Sequence, residues 1–389
     1  MPTTPSKIED ILARLVAAPT QNPGGDELAL GRLLHAALAV HAPDQLDLHE
    51  VPRPDGIGMG AVVIARWGRP SLLINAHLDT VPTVAEGEGG WSSSPWQLRE
   101  ENGVFYGLGA ADTKGAIAAI LSALEKLTAS GIRPRDVLIV FSGDEERTSS
   151  CMRWMVDSPT LLGGITHAVV CEPTGCKLGT RHRGILALEV DRVGTGAHSS
   201  RADELPAPVG ELSCVGAAIY DWGRARRKAG PEGFAGMCTN IAGIDGGGVF
   251  NIVPARATLR ASVRPPPGVE LGRVREELAA LIQQAAPLAT TRIMISNPPF
   301  STADLPSFRP LFGSLVDHPI DLGFWTEAAL LAERGIDAVV YGPGDIGVAH
   351  AANEHVSRAD LVAARDAFAS MLQPPPTSTL PQKDPHGSR

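Results

Sequence analysis

Two different periods of apolar and polar residues run along this chain. Ile8, Ile11, Leu12, Leu15 and Val16 mark one face of a helix. A loop, "APTQNPGGDE", separates it from a second helical pattern in "ELALGRLLHAALAVHA". Short unbroken apolar runs follow at 62–66 and 72–76, and again in "DVLIVFS" and "HAVVCE". Runs of that length read as buried strands. Between them, residues 115–130 form an Ala/Leu-rich pattern that predicts a helix ending before Gly131. Strands alternating with helices predict an α/β fold, with a mostly parallel central sheet covered on both faces.

The texture changes near Arg183. "ILALEVDRVG" and "ATLRASVR" alternate strictly, as half-buried strands do. Helical stretches at about 207–228 and 269–286 complete the order strand, helix, strand, strand, helix, strand, which is ferredoxin-like. These residues are expected to form an inserted α+β domain at 181–294. The α/β pattern resumes at 295 and closes with "ADLVAARDAFASML". The expected organisation is a core of 1–180 and 295–373, the insertion, and a Pro/Ser/Thr-rich disordered tail at 374–389. No internal repeat is visible.

The length, 389 residues, also favours two domains. A net charge of −9 gives no basic surface for nucleic acid or anionic membrane. No apolar run approaches the roughly 18–20 residues that span a bilayer, and the N-terminal segment reads as an amphipathic helix and not a signal peptide. Five scattered cysteines, Cys151, Cys171, Cys176, Cys214 and Cys238, form no zinc-ribbon spacing. They are expected to be reduced thiols of a cytoplasmic protein.

Five stretches place chemistry at strand ends or adjoining loops. His77 ends an apolar strand in "LLINAHLDTVP", and Asp79 stands where its carboxylate can hold one imidazole nitrogen while the other binds a metal. Alone, the pair reads equally as a strand end with a satisfied histidine. Asp112, in "YGLGAADTKGAIAA", is either a ligand or a helix N-cap, and Lys114 beside it reads as solvent-facing. "SGDEE" brings Asp144, Glu145 and Glu146 to the end of another buried strand. Glu172 ends a fourth in "VVCEPTG". His350 follows a Gly/Pro loop in "GPGDIGVAHAANEHV" and is favoured over His355, which lies where regular structure restarts.

Together these residues make a His/carboxylate set without cysteine, which suits two divalent metals better than a structural zinc. His77 and Glu172 can serve one metal and Glu146 and His350 the other, with Asp112 between them. Glu145 is then a carboxylate outside the ligand set and beside a bound water, the position of a general base. Asp144 has no assigned task beyond a turn or a support for its neighbours.

"HLDTVP", "YGLGAADTKG", "SGDEE", "CEPT" and "AHAANEHV" resemble, in order and approximate spacing, the di-zinc family of acetylornithine deacetylase, succinyl-diaminopimelate desuccinylase and glutamate carboxypeptidase. The resemblance covers about residues 8–372. It implies zinc at both positions, with cobalt or manganese also compatible, and the same five ligands: His77, Asp112, Glu146, Glu172 and His350. It implies that Asp112 precedes a cis peptide, that Glu145 is the base and that Asp79 orients His77. The inserted domain resembles the family's lid, which implies a homodimer. His198, in "GTGAHSSRAD", matches a histidine that reaches across the dimer to the oxyanion. Asn251 and Arg264 match positions that bind substrate polar groups and carboxylate, although Arg264 also reads as a strand-end surface charge. "SSRADELPAPVGELS" departs from the usual "SSxPxxGxNAI", which puts the local lid geometry apart from its relatives.

Within that family, "FWTEA" followed by "YGPGDI" resembles the acetylornithine and acetylcitrulline deacetylases, and "HRGI" at 182–185 leans toward the latter. The expected substrate is a small N-acyl amino acid, N-acetylornithine or N-acetylcitrulline, as in arginine biosynthesis. Glu327 is a candidate contact for its side chain or Nα, or else a buried structural carboxylate. The alternatives are a desuccinylase, carboxypeptidase or dipeptidase of the same fold, and a catalytically silent metal-binding relative.

Overall fold

The computed structural model describes residues 7–54, 56–85 and 87–374. The expected disordered tail falls, from residue 375 on, outside the described residues. Backbone contacts divide the chain into two units. One holds the residues up to Cys176, Pro310–Phe312 and those from Tyr341 on. The other comprises Lys177–Arg309 and Gly313–Val340.

The first unit is built on strands ordered Gln45–Pro52, Met59–Trp67, Val137–Ser142, Leu72–His77 and His167–Cys171. The last three are mutually parallel, and the first two add antiparallel ladders at one side. Every residue of Leu72–His77 and of Val137–Ser142 is buried, which is why these strands read as unbroken apolar runs. Each such Leu, Ile, Val or Phe contributes about 1.5–3 kcal/mol by leaving water. Gln45–Pro52 was not foreseen. "QLDLHEVP" is a half-exposed edge strand, so its residues lack the apolar run of the interior strands.

Helix Lys114–Ala129 packs between helices Ile8–Val16 and Arg358–Leu372 and against strand Leu72–His77. Its alanines let it approach closely, and Lys114 through Leu124 are all buried. Gly131 ends it with φ +67°. The Ile132 amide donates back to the Leu127 carbonyl at 2.9 Å and the Gly131 amide to Thr128 at 2.9 Å, a glycine stop that other residues adopt only with strain.

Register positions the site. His77 pairs with Ser142, and Ala76 with both Phe141 and Cys171. The carboxyl ends of three parallel strands therefore finish level, and residues 77–79, 143–146 and 172 leave the sheet side by side. Parallel sheets expose their ligand sites at this edge.

The second unit contains a four-stranded antiparallel sheet ordered Cys238–Asp245, Arg256–Arg264, Ile185–Val193 and Thr290–Asn297. Helices Pro208–Ala225 and Leu271–Ala285 cover one face, giving the ferredoxin-like order. Leu186, Leu188, Val190, Leu259, Ala261 and Val263 face Leu212, Val215, Ile219, Val274, Leu278 and Ile282 in one core. The opposite face carries Arg256, Arg260 and Arg292 interlaced with Glu189, Asp191 and Asp245. The same unit holds strand Gly179–His182, flanked by Phe300–Ser301 and Ile320–Leu322. All five cysteines are unbridged. No helix among the described residues is long and apolar enough to cross a membrane.

Candidate active site

His77 is the last residue of its strand and is buried. Its Nδ1 lies 3.0 Å from the Asp79 main-chain carbonyl, so Nδ1 carries the proton and donates it. Nε2 then faces Asp112, 2.9 Å from Oδ1. The Asp79 carboxylate stands 3.5 Å from Nδ1 and has a second task. Its Oδ1 accepts the Glu145 amide at 3.1 Å and its Oδ2 the Glu146 amide at 3.2 Å. One aspartate thus ties the histidine strand to the acid loop.

Asp112 spans two histidines, with Oδ1 on His77 and Oδ2 3.3 Å from His350 Nε2. It is followed by a cis peptide to Thr113. The helix begins at Lys114 with Thr113 in the cap position, so Asp112 is not the N-cap. The Thr113 hydroxyl donates to the His77 carbonyl at 2.7 Å. Lys114, expected in solvent, is fully buried and donates from Nζ to the Ala18 carbonyl at 2.9 Å. Only a three-dimensional contact could reveal that partner.

The sequence also gave no sign of Glu354. Its carboxylate is buried beneath the Asp112 loop and accepts three amides: Gly109 at 2.8 Å, Ala111 at 2.9 Å and Asp112 at 3.0 Å. Burial and the charge of Asp112 push its pKa up to about 7, against the pull of those amides. "NEHV" carries no spacing that announces a carboxylate cradled by backbone. His355 next to it lies on a short strand against the Tyr106 ring.

Glu146 and His350 meet at 3.0 Å. His77, Asp112 and Glu146 converge so that one ligand atom from each lies within 4.8 Å of the others. Glu172 enters the same field. Burial, then the charges of Asp112 and Glu145, raise its pKa well above the carboxylate range. Burial raises that of Glu146 too. Burial opposes ionisation of Asp112, but hydrogen bonds from His350 and His77 hold its carboxyl well below the usual range. His350 is pushed up to about 10 by Asp112 and Glu146. Burial pulls His77 down, but Asp112 and Asp79 outweigh it. Carboxylates crowded at low dielectric, with two imidazoles aimed among them, are the donor set of divalent cations and fit two of them around Asp112.

Asp144 is wholly buried and adopts φ +61°. Its carboxylate accepts the Asn22 side-chain amide at 2.8 Å, the Ser150 amide at 3.1 Å, the Ser150 hydroxyl at 2.6 Å and the Thr148 hydroxyl. Arg53 lies 3.5 Å away and also pairs with buried Glu27. Asp144 therefore shapes the turn that presents Glu145 and Glu146.

The remaining sequence candidates belong to the second unit. His198 pairs opposite Ile252 in a two-stranded ribbon, and the Ser199 amide bonds the Asn251 carbonyl at 2.9 Å. The ribbon thus brings His198 beside Asn251. Arg264 sits at the far end of strand Arg256–Arg264, opposite Cys238. Glu327 is buried and stands immediately before helix Ala328–Ala332, without a side-chain capping bond to it. "HRGI" and "FWTEA" prove to be one assembly. The Thr326 amide donates to His182 Nε2 at 3.3 Å, and His182 Nδ1 donates to the Arg183 carbonyl at 3.0 Å. The His182 ring packs on Phe300 and Trp325.

Residues 73–373 match the peptidase family M20/M25/M40. The chain belongs to this family. It is 32% identical over 317 residues to the N-acetyl-L-citrulline deacetylase of Xanthomonas campestris pv. campestris, covering 78% of this chain and 82% of that one. It is 30% identical over 383 residues to the succinyl-diaminopimelate desuccinylase of Gluconacetobacter diazotrophicus, covering 93% and 95%. In fold it is similar to an M20 family metallo-carboxypeptidase from Sulfolobus solfataricus, with TM-score 0.73 and 19% identity over 94% of this chain and 98% of that chain. Family and site together make this M20 chain a metal-dependent amidohydrolase.

Proposed function

We propose that this M20 enzyme removes the acetyl group from an Nα-acetylated amino acid, N-acetylornithine or N-acetylcitrulline, in the cytoplasm as a step of arginine biosynthesis. The observation that carries the hydrolytic reading is Asp112, whose two oxygens meet His77 and His350 while Glu145 stands on the adjoining turn. The deacetylase relatives, the "TEA" and "YGPGDI" segments and the unbridged cysteines support substrate class and compartment.

His77 and Glu172 would hold one zinc, Glu146 and His350 the other, with Asp112 shared; cobalt or manganese suits the same donors. Bound metals there supply Lewis acidity and lower the pKa of a coordinated water. Glu145 takes the proton of the attacking water and returns it to the leaving α-amine, so that acetate and the free amino acid are formed. His198 donates to the developing oxyanion. Arg264 pairs with the substrate carboxylate through its planar fork, Asn251 binds a polar group, and Glu327 sits near the side chain or Nα.

The ribbon that carries His198 and Asn251 joins the lid sheet just before Arg256, and Arg264 closes the strand that starts there, whose eight residue steps span roughly 27 Å. One substrate molecule is too small to meet both ends of one lid. That separation supports a homodimer in which the ribbon of one copy completes the site of the other.

The test is a screen of N-acetylornithine, N-acetylcitrulline, N-succinyl-diaminopimelate and a folate-like glutamate conjugate, with Glu145→Gln in parallel. Turnover of an acetyl substrate, falling by about 10²–10⁴ in Glu145→Gln with metal retained, is expected. Equal activity in that variant sinks the mechanism. The desuccinylase reading is favoured by the length of its alignment, and preference for the succinyl substrate would establish it. Metal binding with no turnover of any of the four would mark a silent relative.

A further inference from the structure

The loop of residues 20–26, which leads into helix Glu27–Ala39, lies outside all five motifs, yet it straps the site from behind. The Thr20 hydroxyl donates to the Leu78 carbonyl at 2.8 Å, the Thr80 amide to the Thr20 carbonyl at 3.0 Å, and the Asn22 amide to the Thr80 carbonyl at 2.8 Å. Its backbone is thereby fixed to the turn that follows His77. Asn22 itself is buried. Its side-chain Nδ2 donates to two carboxylates, Asp79 Oδ2 at 3.0 Å and Asp144 Oδ1 at 2.8 Å. Behind it, Glu27 accepts the Asp144 amide at 3.3 Å and the Ala61 amide at 3.2 Å, and Arg53 pairs with both Glu27 and Asp144.

These two aspartates hold the backbone of the general-base turn from both sides. Asp79 binds the amides of Glu145 and Glu146. Asp144 caps the following turn through Thr148 and Ser150. Without the amide of Asn22, two buried carboxylates would face each other and repel. We propose that Asn22 is a positioning residue for Glu145: by clamping Asp79 to Asp144, it sets the direction in which the Glu145 carboxylate leaves its turn. A displacement of about 1 Å at a catalytic group costs on the order of 10²-fold in rate, so a clamp one residue removed acts on turnover more than on binding.

This rests on Glu145 being the base, which the Glu145→Gln variant tests separately. Steady-state kinetics on the best substrate of the screen, metal content by plasma mass spectrometry and circular dichroism are measured for Asn22→Ala and Asn22→Ser. Ser150→Ala is the control: it removes a donor from Asp144 and leaves the bridge to Asp79 intact. In whichever Asn22 variant keeps the native spectrum, kcat falls at least about tenfold while KM stays within about twofold and metal content is native. Ser150→Ala keeps kcat within about threefold. Native kcat in a folded Asn22 variant overturns the clamp. So does metal loss in proportion to activity, or an equal loss of kcat in Ser150→Ala. If Glu145→Gln is inactive and Asn22 variants are not, the base stands and the clamp alone fails.

Discussion

Two clusters of acids in this molecule use the same side chains to opposite ends. On the open face of the lid sheet, Glu189 accepts Arg260 at 2.9 Å and Arg292 at 2.6 Å, and Asp191 accepts Arg256 at 2.8 Å. Each acid has a guanidinium beside it, and those arginines are more than half exposed. At the carboxyl edge of the parallel strands, Asp112 and Glu146 meet imidazoles, while Asp79 and Glu354 are held by backbone amides. The first arrangement neutralises itself. The second gathers negative charge at low dielectric and is completed by cations.

The largest effect that separates the two clusters is metal removal. Dialysis against a chelator is expected to abolish amide hydrolysis, with zinc, cobalt or manganese restoring it, and to leave the lid's ion pairs untouched; full activity in a metal-free preparation would break the contrast. Next comes Glu354→Ala. Three buried amides lose their acceptor, so stability falls by at least about 2 kcal/mol, and metal affinity by roughly 10–100-fold as the Asp112 loop relaxes. Denaturant melts and metal titration read both. A neutral result would mean that the cradle is passive.

A smaller effect is pH-dependent. Burial lowers the pKa of His182 to about 4, against an ordinary value near 6.5. Between those values the unfolded chain binds the proton and the folded one does not, so stability is present above about 6.5 and declines as pH falls toward 4. His182→Gln should flatten that part of the stability profile, a difference on the order of 3 kcal/mol at its widest. An unchanged slope would remove His182 from the account. The smallest effect is expected from Arg260→Met in the lid: a shift in melting temperature within about 2 °C that disappears at high salt. A large, salt-independent loss there would erase the distinction between the clusters.

Most of the candidate site residues were visible in sequence because they stand where a buried apolar run ends. His77, Glu145, Glu146 and Glu172 announce themselves by interrupting a pattern. His198 and Asn251 carry no such interruption and entered only through family resemblance. Asp144, Lys114, Asn22 and Glu354 were misread, left without a task or passed over. Asn22 meets Asp79 across 57 residues, Lys114 meets Ala18 across 96, Asp144 meets Asn22 across 122 and Glu354 meets Gly109 across 245, and no local period records such pairings.

What the sequence determined by itself was the parallel strands, the ferredoxin-like order of the insertion and the residue types of a divalent-metal site, because burial and periodicity are local properties of the chain. Only the tertiary structure decided that Asp112 spans two histidines, that Asp79 holds the acid loop, and that an asparagine from the N-terminal strap bridges two aspartates. Those depend on strand register and on hydrogen bonds whose two ends meet only when the chain is folded.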